Sequence, residues 1–531
     1  MRKNCREKVR EGLGEGLGEG LVGWESFKFL HPWPARLVEY FSCLAVVVLA
    51  CCFLFRELNI FHTNAESARY LLSALVQSQA SVVAIVVSLT LIAVQLTASA
   101  YSPRVVDIFK RNPDLWLLLF FYGLSMFYGL GVLKLVEAAG GAGGAGGAGG
   151  AGGEAVSGSL EFWVSLAFWL GAFSFVALFP YLWNIFELLK AEEIVKRLAV
   201  GITREKILKA EDNAEEDPIL PVADVVHGAI LKYDLATTRV GLKAVTERAS
   251  EILGSEGEGE EEISKRFCRH LERVGRLAAS REDEESVVEV VKNLEKFGES
   301  AAEKGLEDAT SQAVKSLGVV GKIAVEKGLK RATREVALSF EELGRAAVEK
   351  GFGGAAWDVV DSLEVIGTAA AEKGFGGVTQ RVAESLRFIG RVAAEAGLER
   401  TTQRAAKSLG EIGRTATKNG LEDATRQIVW FLGVVGRTAA EKGLEDAARQ
   451  AARSLGKVGR KAAEKGLKGA TEQAAWSLAV LTLSSEEVVK TAIQDYESRL
   501  KEEDRDAFQK FKKIYEQELE ELRAKKRRNA G

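Results

Sequence analysis

Apolar residues follow two unlike patterns along the chain. Between residues 37 and 186 they form long runs, and beyond 187 they recur at helical spacing among charges. A bilayer core needs about 20 mostly apolar residues in a helix. Four segments meet that length, at about 37–55, 77–98, 114–136 and 160–186. The second is the apolar part of a longer helical stretch that starts near Asn64. Pro113 and Asp114 suit the start of the third. Trp33, Trp116, Trp163 and Trp183 fall at span ends, where amphipathic rings settle.

The second segment departs from a uniform lipid-facing helix. Gln77, Ser81, Ser88 and Gln95, with Ser99 beyond, keep to one helix face. Polar side chains against lipid are costly, so this face must meet protein or water. Two readings are open: a packing seam between helices, or the lining of a path in an oligomer. Ser125/Gly129 and Ala167/Gly171 place small residues at i, i+4 and read as helix contacts.

A second periodicity governs the C-terminal half. Gly recurs at 305, 328, 351, 374, 397, 420, 443 and 466, always 23 residues apart. A second Gly falls sixteen later, from Gly321 to Gly459, and Gly275 and Gly298 extend its phase backwards. Leu306, Ala309, Ala313, Leu317, Val320 and Ala324 show the apolar stripe of one unit, with helical gaps of three and four. Two phased glycines suggest two helix ends per unit. The favoured reading is a helix of ~13 residues followed by one of ~7, and the runner-up is one straight helix of ~20. One unit cannot bury its stripe alone, so the units must stack into an α-solenoid.

These patterns divide the chain into an N-terminal segment 1–36, a four-span region 37–186, a helical connector 187–254, an acidic Gly-rich linker 255–264, a solenoid 265–483 and charged C-terminal helices 484–531. The expected fold class is all-α. Ser484-Ser485-Glu486-Glu487 reads as a capping box. The AGG repeat at 139–153 cannot bury apolar surface and reads as a flexible outer linker. Residues 22–35, with Trp24, Phe27, Phe29, Leu30 and Trp33, suit a membrane interface.

Basic residues suggest an orientation. Residues 1–36 hold seven Lys and Arg, the loop after the second span holds Arg104, Lys110 and Arg111, and residues 137–159 hold none. The positive-inside rule then puts both termini in the cytoplasm of a multi-pass cell-membrane protein.

Composition narrows the functional classes. The net charge is -3, and no one-sided basic stripe with aromatics appears, which disfavours nucleic acid. Five cysteines and four scattered histidines offer no tetrahedral ligand set, and no nucleotide or hydrolase motif is present. No cofactor or metal is expected, and the chain reads as a non-enzyme. Asp224, His227 and Asp234 are the one grouping of carboxylate and imidazole, with a plain surface contact as the simpler reading. Trp357, Trp430 and Trp476 lie off the main stripe and are candidate anchors for a protein partner. Packing against the next repeat is the competing reading. The expected partners are the bilayer, a cytoplasmic protein and a second copy of the chain.

Two resemblances follow from particular stretches. The segment QSQASVVAIVVSLTLIAVQLTASAYSPRVVDIF at 77–109, with Gln95-Leu96 and Tyr101-Ser102-Pro103-Arg104, resembles a prokaryotic family of predicted membrane proteins of unknown function. The segment at 217–245 is similar to that family's cytoplasmic part, so the resemblance spans about 36–250. It implies a membrane location and four spans, and no chemistry. KSLGEIG at 407–413 resembles HEAT-like repeats of the bilin-lyase type. The expected role is a membrane-anchored helical-repeat scaffold. The alternative is an oligomeric channel or transporter-like protein, lined by the second span and regulated by the solenoid.

Overall fold

The computed structural model describes residues 32–58, 65–100, 113–142, 153–210, 217–255 and 257–530. Every regular element among them is a helix. The chain separates into two compact units, 1–194 and 195–531.

The first unit holds α1 (Pro32–Leu58), α2 (Ala65–Ala100), α3 (Pro113–Ala142) and α4 (Gly153–Leu188). Three stretches of these, Glu66–Ser99, Pro113–Ala138 and Glu161–Glu187, are long and apolar enough to cross a membrane. The run at 37–55 lies within α1. The helices close around Tyr40, Val86, Phe121, Tyr122, Phe173 and Tyr181 at one end. A second cluster holds Leu72, Val132, Val136, Val164 and Ala167. Gly171 abuts Leu75 and Gly129 abuts Val76, so these small residues do mark helix contacts. The AGG segment is helical up to Ala142, and 143–152 lie outside the described residues, as do 1–31 and Tyr101–Arg104.

The boundary falls within α5 (Ala191–Val200), and the second unit continues through α6 (Arg204–Lys209), α7 (Leu220–Leu231) and α8 (Leu235–Gly254). Ten helices of the array follow: α9 (Glu260–Ser280), α10 (Glu284–Glu303), α11 (Glu307–Glu326), α12 (Lys330–Glu349), α13 (Gly353–Glu372), α14 (Gly376–Glu395), α15 (Glu399–Lys418), α16 (Glu422–Glu441), α17 (Glu445–Lys465) and α18 (Lys468–Ser484). Two helices, α19 (Glu486–Ser498) and α20 (Glu502–Ala530), close the stack.

Each 23-residue unit forms one helix, not two. α11 has 20 residues and stops at Glu326. Gly328 then adopts φ +77°, a conformation open to glycine at little cost. Its amide donates to Val325 O at 3.0 Å, and the Leu329 amide donates to Ala324 O at 2.9 Å. That pair of bonds is the Schellman arrangement, and it explains why Leu follows Gly in the repeat. The second glycine ends nothing. Gly321 lies inside α11, where an added Cβ would meet Val336 of α12 at 2.7 Å and Ile366 of α13 at 2.6 Å. It is small because two helices approach it.

The same contacts fix the topology. Gly298, Gly321 and Gly344 meet residues 313, 336 and 359, each fifteen further on. These pairs are symmetric about the three-residue connectors, so consecutive helices are antiparallel. The same glycines meet Leu343, Ile366 and Ile389, each forty-five further on. Alternate helices therefore stack in parallel, and the array has two layers with a true period of two units.

Two further expectations need correction. The linker expected at 255–264 is shorter, because α9 begins at Glu260 and already buries Ile263 and Ser264. Arg204 also clamps its start, donating to Ile252 O, Ser255 O and Glu258 O, each at 2.8 Å. It is no free hinge. The capping box does not form: Ser485 occupies the N-cap of α19 without a side-chain cap bond.

Candidate functional site

The polar face predicted on the second span is real, but it points outward. Gln77, Ser81, Ser88 and Gln95 are all exposed. Among the described residues they lie on the uncovered side of α2, away from α3 and α4. Ser81 donates to Gln77 O at 2.9 Å and Ser88 to Ala84 O at 2.8 Å. Gln77 Nε2 donates to Ser73 Oγ at 3.3 Å.

A second polar set on the opposite side of α2 holds the bundle together, and the sequence reading missed it. Gln79 is fully buried and its Nε2 donates to Ser125 Oγ at 2.8 Å. Thr90 is bonded to the hydroxyl of Tyr181. Arg36 pairs with the buried Asp114 at 3.2 Å, and Asn184 donates to the same carboxylate. An interhelical hydrogen bond in a membrane bundle contributes roughly 0.6–2 kcal/mol. The signal was present: 79, 86, 90, 93 and 97 are spaced as one helical face. Polar residues at 79, 90 and 97 were the clue.

The array's surface charges mostly neutralise one another. Arg426 pairs with Asp423 at 3.3 Å and Arg437 with Glu441 at 3.7 Å on the same helix. Others stitch parallel neighbours. Glu284, Glu307, Glu399 and Glu422, each early in its helix, accept backbone amides at the start of the helix two units on. Gly469 N, for example, donates to Glu422 Oε1 at 3.0 Å. These helices have Leu or Phe at the N-cap, so the cap comes from the neighbour. A second ladder pairs a buried Ser with a Glu forty-four residues earlier, as in Ser339 Oγ to Glu295 Oε2 at 2.5 Å. Where the serine becomes Phe431, its counterpart is Arg387, whose guanidinium lies 5.4 Å from the ring.

Against this neutral surface the tryptophans stand out. Trp357, Trp430 and Trp476 are 41%, 44% and 38% exposed. Trp357 lies on α13 beneath the guanidinium of Arg404, which sits 5.7 Å from its ring and pairs with Asp361 and Glu364. That is packing onto the next helix of its layer. Trp430 and Trp476 differ: they are 46 residues apart, at the same place on the parallel neighbours α16 and α18. The two half-exposed indoles therefore occupy equivalent places on one layer.

At the start of the second unit, Asp234 spends its carboxylate capping α8, accepting from Thr237 N at 3.1 Å and Thr237 Oγ1 at 2.6 Å. It is therefore engaged away from His227. The closer partnership is Asp217 with His270, at 2.8 Å. Burial pushes the Asp217 carboxyl up, but the bonds from His270 and the Ile219 amide outweigh it and hold the group below the usual range. Burial keeps His227 below the ordinary histidine value, helped by nearby His270 and Arg273, while the charge of Asp224 opposes the shift. Its Nε2 has no hydrogen-bond partner among the described residues.

Comparison with known proteins adds a family match over part of the chain and no chemistry. Residues 35–228 match the model of a family described as Predicted membrane protein (DUF2254). With the three apolar helices, this supports a multi-pass membrane location. No curated protein matches the chain. One solved structure, a circular tandem repeat protein with novel repeat topology and enhanced subunit contact surfaces, aligns at 17% identity and a TM-score of 0.35. It covers 66% of this chain and 93% of that one.

Proposed function

We propose that the protein is a membrane-anchored scaffold. Its apolar helices fix it in the cell membrane, and its helical array presents a docking face to a cytoplasmic protein. The observation that carries this reading is the half-exposed Trp430 and Trp476 at equivalent places on the stacked helices α16 and α18. Indoles supply large contact areas at low entropic cost and dominate many interfaces. Many outer charges elsewhere pair with one another, which makes this patch a favourable place for an apolar partner to bind. The positive-inside pattern supports cytoplasmic termini. No catalysis, cofactor, metal or nucleic acid enters the proposal.

The test compares crosslinked partners of the full-length chain in its native membrane with those of a Trp430→Ala/Trp476→Ala variant. Loss of a discrete partner from a correctly inserted variant supports the reading, and an unchanged partner set refutes it. The second reading, a channel lined by α2, is favoured by the outward Gln77–Gln95 face. It requires ion flux in liposomes that Gln95→Leu abolishes.

A further inference from the structure

α2 is the least covered of the three apolar helices. Its most apolar window is 22% buried, against 39% for each of the others. The uncovered side is the one carrying Gln77, Ser81, Ser88 and Gln95. Gln95 has no hydrogen-bond partner among the described residues. Lipid offers none, so an amide facing hydrocarbon forfeits its hydrogen bonds. Water could reach it only from the end of the apolar stretch, at Ser99, or along a wet path. Isoleucines at 85 and 92, which are 66% and 57% exposed, lie on the same side and disfavour a wet wall.

We propose that this face is a self-association seam, on which a second copy of the chain lays its own α2. Copies inserted by the same rule share one orientation, so a two-fold axis along the membrane normal sets α2 parallel to its counterpart. Each residue then faces itself. A glutamine amide both donates and accepts, so Gln95 can pair with Gln95 and Gln77 with Gln77. No charged residue occurs from Tyr70 to Ala100, so like residues meet without repulsion. Ser81, Ser88 and Gln95 are seven apart, the spacing that keeps two helices in contact along a left-handed crossing. Ser81 and Ser88 already satisfy their hydroxyls on their own backbone and so offer small, closed surfaces. Between the glutamines lies a shallow hollow lined by Ala84, Ile85, Ser88, Leu89 and Ile92, which can receive a facing isoleucine. The proposal is independent of the scaffold reading and can fail without it.

The test uses the full chain in native-lipid vesicles, with its own cysteines replaced. Ser81→Cys and Ser88→Cys are each expected to give a disulfide-linked dimer on mild oxidation. Phe127→Cys and Phe179→Cys, at the outward positions of α3 and α4, are not. A second measurement avoids any change in the seam: energy transfer between copies labelled at the C-terminus, followed on dilution with lipid. The unaltered chain should persist as a dimer, and Gln77→Leu/Gln95→Leu should weaken association about three- to tenfold. Crosslinking at 81 and 88 no stronger than at 127 and 179 would overturn the proposal. So would a monomer at all dilutions, an adduct to a different protein, or a higher oligomer that conducts ions.

Discussion

The in-helix glycines allow a sharp test of the packing account, and Gly321 is the best placed. In Gly321→Ala the new methyl would lie 2.6 Å from Ile366 Cδ1 and 2.7 Å from Val336 Cγ1. Both fall roughly an ångström short of ordinary carbon contact. The isoleucine tip can rotate away. The valine has essentially one helical rotamer and cannot, so α12 must shift. Overpacking of this kind costs about 1–3 kcal/mol. Alanine returns ~0.5–1 kcal/mol of helix propensity over glycine. The net expectation is destabilisation by about 0.5–2 kcal/mol. Gly353 is the control: it opens α13 with nothing within 4 Å of an added Cβ, so Gly353→Ala should stabilise by a few tenths up to ~1 kcal/mol. Hydrogen exchange on the full-length protein reads both. Stacked repeats open locally, and exchange follows the opening equilibrium. Amides of α11, α12 and α13 should exchange about two- to thirty-fold faster in Gly321→Ala. They should exchange no faster in Gly353→Ala. Slower exchange in Gly321→Ala would refute the close approach, and with it the assignment of one helix per repeat.

Other consequences are separately measurable. Glu422→Ala removes the acceptor for Gly469 N and should cost ~1 kcal/mol, read as faster exchange confined to the first turn of α18; an unchanged rate there would remove the cap from the account. His227 is held below its unfolded value, so as pH falls the unfolded chain takes the proton first. Its contribution is full above about pH 6.5 and declines as pH drops below that. The melting temperature of the helical region should therefore fall from pH 7.5 to 5.5, and His227→Gln should flatten that slope. Asp217, shifted down, has its effect only near and below about pH 4 and does not confuse the window.

Much of the architecture could be read from spacing alone. The apolar runs lie in long helices, and the 23-residue period appears as a stack. Gly305 and Gly321 look equivalent in sequence, and that is where the reading of two helices per unit went wrong. One glycine supplies a left-handed turn, and the other makes room for Val336 and Ile366. The first demand is local; the second arises only once helices 15 and 45 residues away are packed. The same limit applied to α2, where periodicity groups Gln77 with Gln95 but cannot say which side turns inward. The buried partners Ser125 and Tyr181 decide it, and both are distant in the chain. Trp430 and Trp476 were recognisable as off-stripe residues, but their equivalent placement required the parallel stacking of α16 and α18.

The most direct measurement places a photo-activatable residue at 430 and, separately, at 476 in the full-length protein in its native membrane, with 357 as comparison. The account predicts one discrete protein adduct shared by 430 and 476 and absent at 357, where Arg404 lies over one face of the ring. No adduct at either position, or equal labelling at all three, would contradict a docking face on the array.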